Sequence, residues 1–297
     1  MTAIELVLAG LAPREIGGRT FDFARRVAVM AIVNRTPDSF YDRGSTFALD
    51  GAVAGALTAV AEGADWVDVG GMPFSPDTPE VSAAEELDRV LPVIEGIRAV
   101  SDVVISVDTY RPDVARACID AGASVINDTM GLRVPGLAEV VADSGATVVV
   151  AHSIAQPHRH HTRPRYADVV AEIVELLRER VAYATGLGIP LARIVVDPGH
   201  DLNKNTHHSL EITRRLAEIT AIGLPTLVAV SNKDFIGETL DRERDQRVMG
   251  SLAATVMCIE RGARVVRTHN VAATVDAVRM TEAVLGLREP VYTRHNV

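Results

Sequence analysis

Short apolar runs rich in β-branched residues alternate along the chain with longer stretches in which apolar residues recur at helical spacing. Eight of these runs are nearly continuous in apolar residues, as expected for parallel strands that are buried on both faces. They span residues 27–34, 64–71, 103–109, 124–129, 146–153, 192–199, 226–233 and 265–270. The clearest helical pattern covers residues 166–186, where Val169, Ile173 and Leu177 share one face.

A strand followed by a helix, repeated eight times with right-handed crossovers, predicts a closed (β/α)8 TIM barrel. An open, doubly wound sheet is the structural alternative, but no Gly-x-Gly-x-x-Gly follows the first run. We therefore predict an α/β barrel over residues 27–290, preceded by a short N-terminal extension over residues 1–26. Residues 4–8 and 20–23 could form a short hairpin in this extension, at the floor of the barrel.

Charge and cysteine content narrow the class of protein. The formal net charge of −9 argues against a nucleic-acid partner, since phosphate backbones favour basic faces. We expect no membrane partner either, because no run reaches the roughly 18 apolar residues of a transmembrane helix. The first residues include Glu5 and lack the basic start of a secretory signal. Cys118 and Cys258 lie in apolar helical contexts, which predicts buried thiols in the reducing cytoplasm.

Polar residues fall at the carboxyl ends of nearly all the predicted strands, whose interiors are apolar. They are Asn34, Asp68, Asp108, Asn127, Asp128, His152, Asp197, Ser231, Lys233, Arg267 and His269. In a barrel these ends converge on one face, where the active site lies. A convergent polar pocket in an apolar scaffold predicts a site for a small molecule.

The chemistry of these side chains divides into two kinds. One set mixes hydrogen-bond donors and acceptors and suits the edge of a flat heterocycle; it comprises Asp108, Asn127, Asp197 and Lys233. A second set offers donors and positive charge, which suits a phosphate or diphosphate; it comprises Asn34, Arg267 and His269. A divalent ion would fit beside the anion through the amide oxygen of Asn34. The residue types alone predict a phosphorylated heterocycle as the ligand.

Several ordered segments resemble the dihydropteroate synthase family, over about residues 27–287. They are MAIVNRTPDSFYDRG (30–44), SVDT (106–109), INDT (126–129), DPG (197–199), Ser231-x-Lys233 and Arg267-x-His269. The resemblance implies a pterin-binding barrel that joins p-aminobenzoate to 6-hydroxymethyl-7,8-dihydropterin pyrophosphate and releases pyrophosphate. It also implies magnesium (Mg2+) as the cofactor and a homodimer, for which the apolar stretch 249–262 would suit the interface.

The same resemblance implies a role for each residue that matches the family pattern. The pterin would be held by Asp108, Asn127, Asp197 and Lys233, of which Asp108, Asp197 and Lys233 would be catalytic. Asn34 would bind magnesium and pyrophosphate, and Arg267 with His269 would complete the anion site. Ser231 would face p-aminobenzoate. The first loop would close over the site and carries Thr36, Asp38, Ser39 and Phe40.

Four segments depart from the family pattern, mainly on the side of the second substrate; in one of them Asn270 stands where an aspartate is usual. Phe74 and Ser75 stand where a hydroxyl residue and an arginine are usual, Asn232 replaces another arginine, and Asp201 replaces a glycine. Two interpretations follow: a working synthase, or a catalytically weak or inactive paralogue that still binds the ligand. A pterin-dependent methyltransferase is a third interpretation, which the segment TPDSF of the first loop disfavours.

Overall fold

The computed structural model describes residues 10–34, 49–72, 81–154 and 163–295, apart from the side chain of Asn34. Eight parallel strands, β3 to β10, follow one another around a closed barrel, in which β10 pairs with β3. The strands are β1 (Arg14–Ile16), β2 (Arg19–Phe21), β3 (Ala28–Asn34), β4 (Trp66–Gly70), β5 (Val104–Asp108), β6 (Val125–Asp128), β7 (Thr147–Ala151), β8 (Ile194–Asp197), β9 (Thr226–Val228) and β10 (Ala263–Thr268). The predicted TIM barrel is confirmed.

Helices follow the strands and cover the outside of the barrel. Those in the described part of the chain are α1 (Leu49–Ala61), α2 (Ala83–Arg98), α3 (Pro112–Asp120), α4 (Leu137–Ser144), α5 (Val169–Gly186), α6 (Thr206–Arg214), α7 (Leu216–Thr220), α8 (Asp234–Leu240), α9 (Val248–Glu260) and α10 (Val271–Val284). Local sequence sets several of their starts. Ser82 and Glu85 form a capping box at α2, and Pro112 occupies the first turn of α3, where its missing N–H costs nothing.

Each predicted strand is present, with small shifts at its ends. The largest difference is at β9, which ends at Val228 instead of continuing to residue 233. Asn232, four residues further on, has a φ of 56°, a left-handed conformation that an extended run cannot include. This early end places residues 229–233 in the loop that leads to α8, at the carboxyl end of the strand.

The interior of the barrel has an apolar floor beneath a polar layer. The floor is formed by inward-facing side chains near the starts of the strands, among them Met30, Trp66, Val104, Val125, Val149, Val195, Leu227 and Val265. Two residues further along five of these strands lie Asp68, Ser106, Asn127, Asp197 and Arg267. Because side chains two apart on a strand share a face, these polar residues also point into the barrel, one layer nearer its mouth.

The N-terminal hairpin covers the apolar floor. Phe21 and Phe23 are buried in the same cluster, and the Phe21 ring meets the Trp66 ring edge-on with centroids 5.7 Å apart. The predicted hairpin is present: β2, which overlaps the predicted residues 20–23, pairs with β1. Residues 4–8, the other predicted arm, lie outside the described residues. Within those residues, no helix is both long and apolar enough to cross a membrane.

Candidate active site

Arg267 lies at the centre of the polar layer and joins two carboxylates. Its Nε donates to Asp68 Oδ2 at 2.6 Å, and its Nη2 donates to Asp108 Oδ2 at 3.2 Å. Asn127 Nδ2 donates to the same Asp68 oxygen at 3.1 Å. Burial works to lower the pKa of Arg267, but the charges of Asp68 and Asp108 outweigh it and raise the pKa. Four strand ends are thus joined in one hydrogen-bonded network.

Asp108 is the carboxylate of this network that titrates near neutrality. Burial raises its pKa to about 7, against the opposing effect of Arg267. The charges of Asp68, Glu86 and Asp128 push the pKa in the same direction as burial. The side chain is 28% exposed, so it is open to the pocket. A carboxylate in this setting can hold or release a proton at physiological pH.

Asp197 lies at the end of β8, across the mouth from Asp108. Its Oδ1 accepts a hydrogen bond from the Gly199 amide at 2.7 Å. Burial raises the pKa of Asp197 to about 6, while this amide, Lys204 and Lys233 work to lower it. Gly199 is required here, because its φ is 68° and a Cβ would lie 2.2 Å from the His152 carbonyl oxygen.

Lys204 is a buried cationic group that the sequence did not single out. Its Nζ lies 2.9 Å from His152 Nδ1 and donates to the Leu202 carbonyl at 2.9 Å. Burial lowers its pKa to about 7, although Asp197 and Asp201 favour the charged form. The same burial, together with Lys204, holds the pKa of His152 far below its usual value. His152 is therefore a neutral acceptor for Lys204.

Lys233 and Asp201 occupy neighbouring loops at the mouth. Burial lowers the pKa of Lys233, against the charges of Asp201 and Asp197. Asp201 Oδ2 accepts from the Asp234 amide at 2.9 Å, and its Oδ1 accepts from Ser209 Oγ at 2.9 Å. Asp201 has a φ of 62°, a conformation that suits glycine and is tolerated by Asp and Asn. Its carboxylate therefore braces the loop against α6 and α8, beside Lys233.

The side of the pocket formed by Ser231 and His269 carries a changed residue. Ser231 Oγ accepts from the His269 amide at 3.2 Å and lies 3.2 Å from its Nδ1. Asn232, where an arginine was expected from the family pattern, is 7% exposed. Its backbone N–H donates to Ser251 Oγ at 2.9 Å. In its side chain, Oδ1 lies 3.3 Å from Ser251 Oγ, and Nδ2 donates to Asn270 Oδ1 at 3.3 Å. A neutral side chain tied to its neighbours thus replaces a long cationic one.

Several predicted site residues cannot be placed. The side chain of Asn34 and the loop residues Thr36, Asp38, Ser39 and Phe40 lie outside the described residues, as does the altered segment 73–80. In the part of the chain that is described, no group of three or more His, Cys, Asp or Glu side chains could hold a metal ion. The roles assigned to individual residues by resemblance stay predictions.

The fold and the site together define a class of protein. A TIM barrel whose mouth gathers acidic and amide groups around an arginine and a lysine is typical of enzymes that bind a small polar molecule there. The chain matches the sequence model of the family described as pterin binding enzyme over residues 30–269, and it belongs to that family.

Similar proteins include some named dihydropteroate synthase and others named inactive dihydropteroate synthase 2. The chain is 42% identical to inactive dihydropteroate synthase 2 of Mycobacterium leprae, over 91% of this chain and 94% of that protein. It is 40% identical to dihydropteroate synthase of Escherichia coli K12, over 88% of this chain and 93% of that protein. Among solved structures, Xanthomonas albilineans dihydropteroate synthase with 4-aminobenzoic acid has a TM-score of 0.84 and 42% identity, covering 92% and 98% of the two chains.

Proposed function

We propose that this protein is a dihydropteroate synthase, a transferase that condenses 6-hydroxymethyl-7,8-dihydropterin pyrophosphate with p-aminobenzoate. The observation that supports this most directly is the network at the barrel mouth, in which Arg267 joins Asp108 and Asp68, and Asp68 holds Asn127. Asp197 and Lys233 lie close enough to Arg267 that their charges influence one another. The set offers acceptors to a nitrogen-rich ring beside donors for its anionic substituent.

The pterin would bind along the acidic side of this mouth. Asp108 and Asp197 have raised pKa values of about 7 and about 6, so both are carboxylates at slightly alkaline pH and can accept from ring N–H and amino groups. As the bond between the pterin methylene carbon and the diphosphate oxygen breaks, positive charge develops on the ring. Carboxylates fixed in advance stabilise that charge without reorganisation.

The diphosphate would leave along the basic side. Arg267 and His269 donate to its oxygens as negative charge develops there. The p-aminobenzoate nitrogen then forms the new C–N bond as the C–O bond to the diphosphate breaks, and the released diphosphate takes up the proton that the nitrogen loses. Ser231, beside His269, would contact this second substrate. Holding both reactants in line and excluding water protect the cationic pterin from hydrolysis.

Magnesium fits this arrangement as an ion carried with the substrate. Arg267 is already paired with two carboxylates, so a diphosphate with several negative charges calls for additional positive charge. Magnesium prefers few protein ligands and several phosphate oxygens and waters. We propose that Asn34, the last residue of β3, supplies the protein ligand. The ion would add positive charge at the leaving group.

A second candidate function is that of a paralogue that binds the pterin but has lost synthesis. The observation that favours it is Asn232, which is neutral and hydrogen-bonded to Ser251 and Asn270 where the resemblance calls for an arginine. Losing one charge-assisted contact costs on the order of 1.5–3 kcal/mol. That loss would fall on the second substrate and leave pterin binding intact.

Two measurements separate these functions. Calorimetry with 6-hydroxymethyl-7,8-dihydropterin pyrophosphate, with and without magnesium, measures the first binding step. Release of pyrophosphate after addition of p-aminobenzoate measures the reaction. Binding followed by turnover supports the synthase, binding without turnover supports the paralogue, and absence of binding would remove both.

We also propose a cytoplasmic homodimer. Met249, Met257, Met280 and Val284 are apolar residues on α9 and α10 with exposed fractions between 43% and 76%. Two free, buried cysteines support a reducing compartment. Sedimentation or light scattering should give twice the chain mass of 31.8 kDa; a mass of one chain would contradict the dimer.

A further inference from the structure

Asp68 is a fully buried carboxylate whose two oxygens have different surroundings. Oδ2 accepts from both Arg267 Nε at 2.6 Å and Asn127 Nδ2 at 3.1 Å. Oδ1 is buried and has no hydrogen-bond partner among the described residues. A buried carboxylate is costly unless its surroundings compensate for it. This one lies in the polar layer just beneath the pocket and contacts two residues that line it.

Asp68 fixes the orientation of the Asn127 amide. A carboxylate can only accept, so the Nδ2 side of the amide must face Asp68. This contact leaves Asn127 Oδ1 as the atom that can accept from a ligand. Without the carboxylate, the amide could rotate and offer its NH2 group instead, which would reverse the kind of ligand atom that Asn127 can bind.

Asp68 also fixes Arg267. Its Oδ2 engages Nε, on the inner edge of the guanidinium, while Nη2 reaches Asp108. The five N–H donors of a guanidinium are held in one rigid plane, so fixing one edge sets the direction of the others. One buried oxygen therefore orients a residue on the heterocycle side of the pocket and a residue on the anion side.

We propose that Asp68 is a positioning residue. Its contacts orient Asn127 so that the carbonyl oxygen faces the substrate, and orient Arg267 so that the outer edge of the guanidinium faces the substrate. This inference rests on the proposed binding of a pterin diphosphate. It predicts that Asp68 contributes to recognition of the ring without touching it, because its contacts reach Asn127 and Arg267 from below the pocket.

The same carboxylate affects the protonation of Asp108. Four charged groups act on Asp108: Arg267 on β10, Asp68 on β4, Glu86 on α2 and Asp128 on β6. Of these, Arg267 lowers the pKa of Asp108, and the three acids raise it. Replacing Asp68 by Asn removes one acid and releases Arg267 toward Asp108. Both changes lower the pKa of Asp108, so its carboxylate form should persist to lower pH.

The test is calorimetry of 6-hydroxymethyl-7,8-dihydropterin pyrophosphate binding to the Asp68→Asn variant across a pH series. We expect affinity at about pH 8 to fall roughly tenfold, the effect of one misdirected hydrogen bond. We also expect the acidic limit of binding to move to lower pH. A loosened fold would weaken binding without moving this limit. Asp68→Ser, smaller and also uncharged, is the second variant if the first does not fold.

Asp65→Asn is the matched control. Asp65 is on the same chain segment and buried to a similar degree, but it lies at the floor, where it pairs with Arg26 and accepts from the Val29 amide at 3.0 Å. Its replacement should lower the melting temperature and leave pterin affinity within twofold. Wild-type affinity in Asp68→Asn, with an unmoved pH limit, would overturn the inference and leave the proposed function standing. Failure of the unaltered protein to bind the pterin would overturn both.

Discussion

Replacing Arg267 by methionine removes a guanidinium that compensates two carboxylates of the pocket, Asp68 and Asp108, at once. Methionine keeps much of the aliphatic volume, so the change is mainly one of charge. In the variant, Asp68 keeps its hydrogen bond from Asn127 but loses the guanidinium, and Asp108 loses the group that opposes the rise of its pKa. The expected result is a destabilised protein whose deficit depends on pH.

The size of this deficit follows from the exposure of the network. Removing one partner of a buried ion pair costs about 3–5 kcal/mol. The side chains of Arg267 and Asp108 are 15% and 28% exposed, so solvent screening reduces this cost. We expect a loss of about 3 kcal/mol at about pH 8, or a fall in melting temperature of roughly 6–12 °C. We expect about half that loss at about pH 5.

The sign of the pH effect comes from Asp108. The pKa of Asp108 is about 7 in the folded protein and about 3.8 in the unfolded chain. Asp108 therefore contributes its whole stabilisation below about pH 3.8, and this contribution is lost as the pH rises through about 7. Without Arg267 its pKa rises further, and the loss above neutral pH grows. Near pH 5 the carboxyl is protonated in both proteins, so its pairing with Arg267 no longer matters.

The assay is urea unfolding followed by circular dichroism at both pH values. Arg264→Met is the matched control on the same strand. Arg264 is fully buried, but its guanidinium donates to carbonyl oxygens of Phe23, Ile259 and Ala263, which do not titrate. Its loss should cost the same free energy at both pH values. An equal loss at both values for Arg267→Met would refute the electrostatic account of the site.

Two further predictions concern the loop after β8. Gly199→Ala should destabilise the protein by about 3 kcal/mol or more, because the new Cβ would collide with the His152 carbonyl oxygen. Gly188→Ala is the control, because Gly188 has a φ of 92° but lies in open space, so the change should cost only about 1 kcal/mol. Thermal melting measures both costs, and equal costs would contradict the collision. Lys204→Met should abolish a gain in stability that the wild-type protein makes as pH rises from about 7 to about 10. The Lys204 pKa is lowered from 10.5 to about 7, so between these pH values the unfolded state binds one proton more than the folded state. The free energy of unfolding is measured across this pH range; the same dependence on pH in both proteins would disprove this account.

The barrel and its mouth were predictable from the sequence because the signal is local and repeated. Apolar runs of strand length, each ending in a polar residue, allow few arrangements other than convergence at one edge. Asp108, Asn127 and Asp197 were found in this way. Lys204 was missed because a lysine in a loop gives no sign of burial, and the carboxylate of Asp201 gave no sign that it braces α6 and α8.

The sequence by itself determined the order of strands and helices, the apolar strand interiors, the family resemblance and the types of group at most strand ends. The tertiary structure decided which of these groups touch. Arg267 is 199 residues from Asp68 in the chain and 159 from Asp108, and no local pattern encodes that contact. Burial then set the pKa values of Asp108, Asp197 and Lys204, since desolvation depends on how the whole barrel packs around a charge.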